Sequence, residues 1–247
     1  MKVEEYRSVL RKLDHWDTYL LRESGLPGPR ANLELAQAVA EEGRRELFQR
    51  YLAFDAQDAP AGTPHEFLAF CGTVGLGQLL VEGDMQALAI LRRLAGDSRW
   101  RIREAVTIAL QRWGERSMSS LINTMEEWSL GTPLESRAAA AALCEPRLLT
   151  NPDHARRVLG ILNAITVSLS DIADRKEEGY LALRKALGYC WSVAVAACPG
   201  EGKAYMTRWF SSTDPSIRWI MKENLKKNRL ARMDPEWVDK WMDKLKS

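Results

Sequence analysis

Residues Gly96 to Trp113 read GDSRWRIREAVTIALQRW, four arginines and two tryptophans around a run of alanine, valine, isoleucine and leucine. Taken alone, the stretch fits a basic helix that grips phosphates with tryptophans ready to stack on bases. It fits equally well one unit of a stacked helical array. Its apolar residues Ile102, Ala105, Val106, Ala109, Leu110 and Trp113 step by three, one, three, one and three, the stripe of an amphipathic helix. Asp97 and Ser98 stand just before it as candidate N-caps.

The pattern returns with an arginine at its head. Counting from Arg103, matching arginines stand at Arg137, Arg184 and Arg218, at spacings of 34, 47 and 34 residues. Two and three residues later come Ala105 and Val106, Ala139 and Ala140, Ala186 and Leu187, Ile220 and Met221. Six and seven residues later come Ala109 and Leu110, Leu143 and Cys144, Cys190 and Trp191, Asn224 and Leu225, where Asn224 breaks the apolar rule. A turn signal precedes each: Gly96-Asp97-Ser98, Gly131-Thr132-Pro133, Glu177-Glu178-Gly179 and Thr213-Asp214-Pro215. Partner helices are expected over 84–95, 118–128, 153–172 and 203–210. Strand signals are scarce, with no Asn-Gly or Asp-Gly hairpin between alternating runs.

A two-helix unit recurring at these intervals is the mark of stacked helical-repeat proteins. The chain resembles the HEAT-repeat family. Asp97 with Ile102-Arg103 and Ala105, and the segment Asp214-Pro215-Ser216-Ile217-Arg218, are similar to that family's turn of Asp or Asp-Pro followed by an apolar residue and Arg. The likeness covers about 84–232; Ser136 stands where an apolar residue precedes the arginine, and the 47-residue spacing departs from the strict repeat. The resemblance implies an all-α fold, a right-handed α-solenoid of about five or six antiparallel helix pairs in one domain over 1–247. Residues 1–83 are then diverged repeats and an N-terminal cap, 84–232 the clearest repeats, and 233–247 a capping helix with Asp234 as N-cap and Pro235 at the first helical position.

Upstream, 31–40 and 46–54 pair as one diverged unit, 1–22 reads as a capping helix, and 63–81 reads as a helix despite Gly72, Gly75 and Gly77. Each such glycine costs about 1 kcal/mol against alanine, so close helix packing is the expected reason for them.

Composition narrows the function. The net charge of +2 in 247 residues is nearly neutral, so any polyanion site is a local patch. The four cysteines show no Cys-x-x-Cys spacing, which points to reduced buried thiols, a cytoplasmic location and no zinc site. Acids stand near the N-terminus where a signal peptide needs an apolar run, and no stretch approaches eighteen apolar residues, so no membrane contact is expected. His15, His65 and His154 lack spaced metal partners, no nucleophile elbow or Walker loop occurs, and Glu126-Glu127 and Glu177-Glu178 diverge on a helix. No cofactor, metal or catalytic residue is assigned.

On a helical wheel each head arginine lies at the edge of its apolar stripe. HEAT-like stacks commonly pair such an arginine with an aspartate of a neighbouring turn, here Asp97 and Asp214; the sharper reading is a row of cations offered to an anionic partner. Lys222 and Arg229 fall within about 40 degrees of Arg218, and Lys226, Lys227 and Arg232 add charge nearby. Among the nine tryptophans, Trp113 and Trp191 belong to the stripe, whereas Trp100 and Trp219 lie beside arginines. The candidate contact residues are therefore Arg103, Arg137, Arg184, Arg218, Lys222, Arg229, Trp100 and Trp219. The expected function is non-catalytic binding of a protein or peptide partner on the concave face. The alternative is nucleic-acid binding, including repair of the kind performed by DNA alkylation repair glycosylases built of HEAT-like repeats, a similarity of fold only. The sequence leaves the oligomeric state open.

Overall fold

The computed structural model describes residues 2–246. Among them every regular element is a helix, with no strand. Its packing separates two compact units, Met1–Arg116 and Ser117–Ser247.

The first unit holds α1 (Lys2–Leu10), α2 (Asp17–Glu23), α3 (Leu33–Glu42), α4 (Arg45–Leu52), α5 (Pro64–Val81), α6 (Ala87–Leu94) and α7 (Trp100–Arg116). The expected single helix over 1–22 is instead two. Beyond Leu10 the chain turns, and the Trp16 indole N–H donates to the Leu10 carbonyl at 3.0 Å, closing the break. Helix α5 is the axis of the unit, since α2, α3, α4, α6 and α7 all pack on it. It has no polar face and is buried from Glu66 to Gly77, Glu66 being the one charged side chain in that run. Its glycines mark the closest approaches: a Cβ on Gly75 would lie 2.3 Å from the Phe48 ring of α4, and one on Gly77 only 2.5 Å from the Ala109 backbone of α7.

The second unit holds α8 (Met118–Trp128), α9 (Pro133–Leu143), α10 (Pro152–Ser168), α11 (Glu178–Ala197), α12 (Pro199–Trp209), α13 (Pro215–Leu225), α14 (Asn228–Met233) and α15 (Pro235–Lys246), with short 3-10 turns at Pro146–Leu148 and Leu169–Asp171. Consecutive helices pair as α8 with α9, α10 with α11 and α12 with α13. Helix α10 also touches α8 and α12, and α11 touches α9 and α13, so each layer runs three helices side by side. The starts follow from local chemistry. Thr132 and Glu135 form a reciprocal capping box on α9, with Pro133 at the first position. Asp214 accepts the Ser216 and Ile217 N–H groups at the head of α13, and Asp234 accepts that of Trp237 at the head of α15.

Asn224, the residue that breaks the apolar rule, is fully buried. Its Oδ1 accepts the Ser192 N–H at 2.7 Å, and its Nδ2 donates to the carbonyls of Leu187 and Ile220, both at 2.8 Å. A polar side chain sits in the core here because it binds the backbone of α11 to α13. Trp113 and Trp191 are core residues, and the Trp191 indole donates to Thr166 Oγ1 at 3.1 Å.

Candidate functional site

The four head arginines sit within the first two turns of α7, α9, α11 and α13 and have different surroundings. Arg103 is buried, and its Nη1 donates to the backbone carbonyls of Asp97 and Ser98 at 2.6 and 3.2 Å. It fastens the turn before its own helix. The Asp97 carboxylate pairs with Arg99, which is 5% exposed and also donates to the carbonyls of Phe54, Asp55 and Ala59. The Asp214 carboxylate pairs with Arg175 at 2.7 Å. Arginine-to-aspartate clasps thus occur at both turns, but the arginines that close them are Arg99 and Arg175. Neither stands in the repeating position, so the spacing could not identify them.

Trp100 is 48% exposed, with the Arg101 guanidinium 4.5 Å from its ring centroid. Arg101 itself is buried, paired with the fully buried Glu66 at 3.3 Å and donating to the Gly28 carbonyl at 2.7 Å. Trp100 therefore rests on an arginine committed to the interior of its unit. Arg137, Arg218 and Lys222 are half-buried.

In the second unit the candidates converge. Arg184 of α11 places its guanidinium carbon 4.0 Å from the Trp219 centroid of α13, the shortest cation-to-ring distance among the described residues. The Trp219 ring also closes on α11 at Gly188, where a Cβ would stand 3.0 Å from it. Arg229 repeats the arrangement on Tyr189: its guanidinium lies 4.6 Å from the ring centroid, and Nη2 donates to the Tyr189 hydroxyl at 2.6 Å. Arg184, Trp219 and Tyr189 line a groove of about 460 Å³ together with Leu181, Lys185, Glu223 and Lys227. Its one acid, Glu223, is ion-paired with Lys226. Leu181 and Tyr189, exposed at 46% and 42%, leave apolar surface on the rim.

Nε of Arg184 and Nη1 of Arg229 are enclosed and have no acceptor among the described residues. Adjacent to the groove, Lys226, Lys227, Asn228, Arg229 and Arg232 line a second concavity of about 450 Å³. Of the eight candidates, the structure brings Arg184 and Trp219 to one groove, while Arg229 lines the adjacent concavity and meets the groove only through Tyr189. Tyr189, Lys185 and Lys227 belong with them and were not singled out as contact residues. Tyr189 carried a signal, an aromatic five residues after Arg184 and about 140 degrees around the helix from it, well off the apolar stripe.

All four cysteines are free and buried, and burial pushes the Cys71 and Cys144 thiols well above their ordinary range. No group of three or more metal-ligating side chains, and no helix long and apolar enough to cross a membrane, occurs among the described residues. Comparison with protein-family models, curated proteins and solved structures found no match to this chain.

Proposed function

We propose that the protein is a non-catalytic interaction protein of HEAT-like construction, and that the groove between α11 and α13 takes an acidic peptide segment of a protein partner. The two layers of the second unit, each with three helices side by side, support the solenoid reading for that unit.

The observation that carries the functional reading is the pair of ring-mounted guanidiniums, Arg184 on Trp219 and Arg229 on Tyr189. Stacked on Trp219, the Arg184 guanidinium keeps in-plane N–H groups other than its buried Nε for a carboxylate, which accepts from them in a two-pronged fashion, while Arg229 already donates Nη2 to Tyr189 and adds its charge. The stack also restrains a long side chain beforehand, which lowers the ordering cost of binding. Lys185 and Lys227 reinforce the positive potential, and Glu223 is held by Lys226.

The basic concavity at Lys226, Lys227, Arg229 and Arg232 favours the second reading, in which the anion is a nucleic-acid backbone. The aromatic rings argue for peptide: Trp219 and Tyr189 each carry a guanidinium on one face, so neither is an open stacking platform of the kind single strands use. Fluorescence anisotropy with a labelled glutamate-rich peptide of about ten residues, ~33 Å long when extended, and with a labelled DNA duplex separates the two. The expected result is tighter peptide binding at ~0.15 M salt; tighter DNA binding with a steep salt slope overturns the reading.

A further inference from the structure

Where α13 gives way to α14, Lys226, Lys227, Asn228, Arg229 and Arg232 line a concavity of about 450 Å³ with four cations, one amide and no acid. Lys226, Asn228 and Arg232 are exposed. Lys226 pairs with Glu223, whereas Lys227, Arg229 and Arg232 make no ion pair among the described residues. The concavity adjoins the α11–α13 groove: Lys227 lines both, and the Tyr189 hydroxyl of the groove accepts from Arg229 Nη2 at 2.6 Å.

The two hollows suit different anions. In the groove, Arg184 on Trp219 offers a flat fork, the match for a flat carboxylate of single charge. A hollow walled by four cations and no acid calls for more charge than one carboxylate brings. A phosphate monoester carries about −1.5 to −2 at neutral pH on three strongly accepting oxygens, so lysine, arginine and asparagine donors can bond to it together.

We propose that the concavity lined by Lys226, Lys227, Asn228, Arg229 and Arg232 takes a phosphate monoester carried by the same peptide whose acids occupy the α11–α13 groove, so that the partner segment is an acidic phosphopeptide. The inference rests on the peptide-binding reading above. It gives that reading an occupant for the basic concavity, the feature that otherwise favours a nucleic-acid backbone. The lining comes from one short stretch, 226–232, a patch of the extent one phosphate needs, whereas a nucleic acid gains its affinity from a succession of phosphate contacts.

The test uses the full chain and three fluorescein-labelled peptides of one glutamate-rich sequence, differing only at a central position that is serine, glutamate or phosphoserine. At ~0.15 M salt the phosphoserine peptide is expected to bind at least fivefold tighter than either of the others. Asn228 and Arg232 line the concavity and not the groove, so Asn228→Ala/Arg232→Gln should cut this advantage below twofold and leave the affinity for the serine peptide unchanged. Arg184→Ala should weaken all three peptides. Circular dichroism confirms that the variants are folded. Equal binding of the phosphoserine and glutamate peptides, or an advantage that survives the double variant, overturns the phosphate site and leaves the acidic-peptide reading standing. Binding of a labelled DNA duplex more tightly than the phosphoserine peptide, binding of the peptides indifferent to Arg184→Ala, or no binding of any peptide overturns both.

Discussion

The guanidinium of Arg184 rests over the indole of Trp219, 4.0 Å from its centroid, and so joins α11 to α13 at the surface. Beneath that stack the Trp219 ring occupies the space that a side chain at Gly188 would need. The charged group is thereby held in place with no ion pair to an acid among the described residues, which is what distinguishes it from the clasped Arg99 and Arg175.

Arg184→Ala is expected to lower the stability of the protein by about 0.5–1 kcal/mol, the worth of a partly exposed cation–ring contact. Urea unfolding followed by circular dichroism measures it. A change indistinguishable from zero would mean that the stack is incidental.

Asn224→Ala tests the joint between α11 and α13 at depth. The substitution strips acceptors and donors from Ser192, Leu187 and Ile220 in a buried setting, and the expected cost is about 2 kcal/mol or more. Asn224→Asp keeps the acceptor but loses the donor and buries a charge, so it should cost more than Asn224→Ala. The ranking in chemical denaturation is the check.

Glycine replacements should split by surroundings. Gly77→Ala drives a methyl into the backbone of Ala109, which cannot rotate away, and is expected to destabilise by about 1–3 kcal/mol. Gly160→Ala in α10 meets nothing within 4 Å and should stabilise by up to about 1 kcal/mol through helix propensity alone. Thermal melts of the two variants should move in opposite directions.

Acid should loosen the first unit at the α1–α3 contact. Hydrogen bonds from Arg11 and Arg7, partly opposed by burial, hold the Glu42 carboxyl at about 2 against an ordinary 4.5. A depressed folded-state value means the stabilisation is complete above the unfolded value and is lost as pH falls through the folded one. Stability should therefore decline from about pH 5 toward about pH 2 with a component that Glu42→Gln removes. Urea midpoints across that range, unchanged in slope by the substitution, would contradict this.

Much of the fold was legible because helices announce themselves locally. The stripe from Ile102 to Trp113 lies within α7, and the turn chemistry at Thr132, Asp214 and Asp234 starts α9, α13 and α15. Gly72, Gly75 and Gly77 announce close packing because three glycines in an apolar helix are costly unless a neighbour needs the space, and Tyr51, Phe48 and Ala109 take it. Tertiary partnerships were not legible. Arg99 finds the carbonyls of Phe54, Asp55 and Ala59 some forty residues away, and nothing in its neighbourhood signals this. The site was half visible: Arg184 follows from periodicity and Trp219 from its place beside Arg218, whereas Arg229 lies on α14 beyond the end of α13, so its wheel position relative to Arg218 does not hold, and the role of Tyr189 depends on which residue α14 places above it.

The central claim, that acidic peptide binds at the α11–α13 groove through Arg184 on Trp219 and at its edge through Arg229 on Tyr189, is tested most directly by calorimetric titration of a glutamate-rich peptide into wild type and the Arg184→Ala/Arg229→Ala double variant. The account predicts saturable binding to wild type and at least tenfold weaker binding to the folded double variant, a loss of about 1.4 kcal/mol or more. Equal affinity for the two proteins, or no binding to wild type even at low salt, would contradict it.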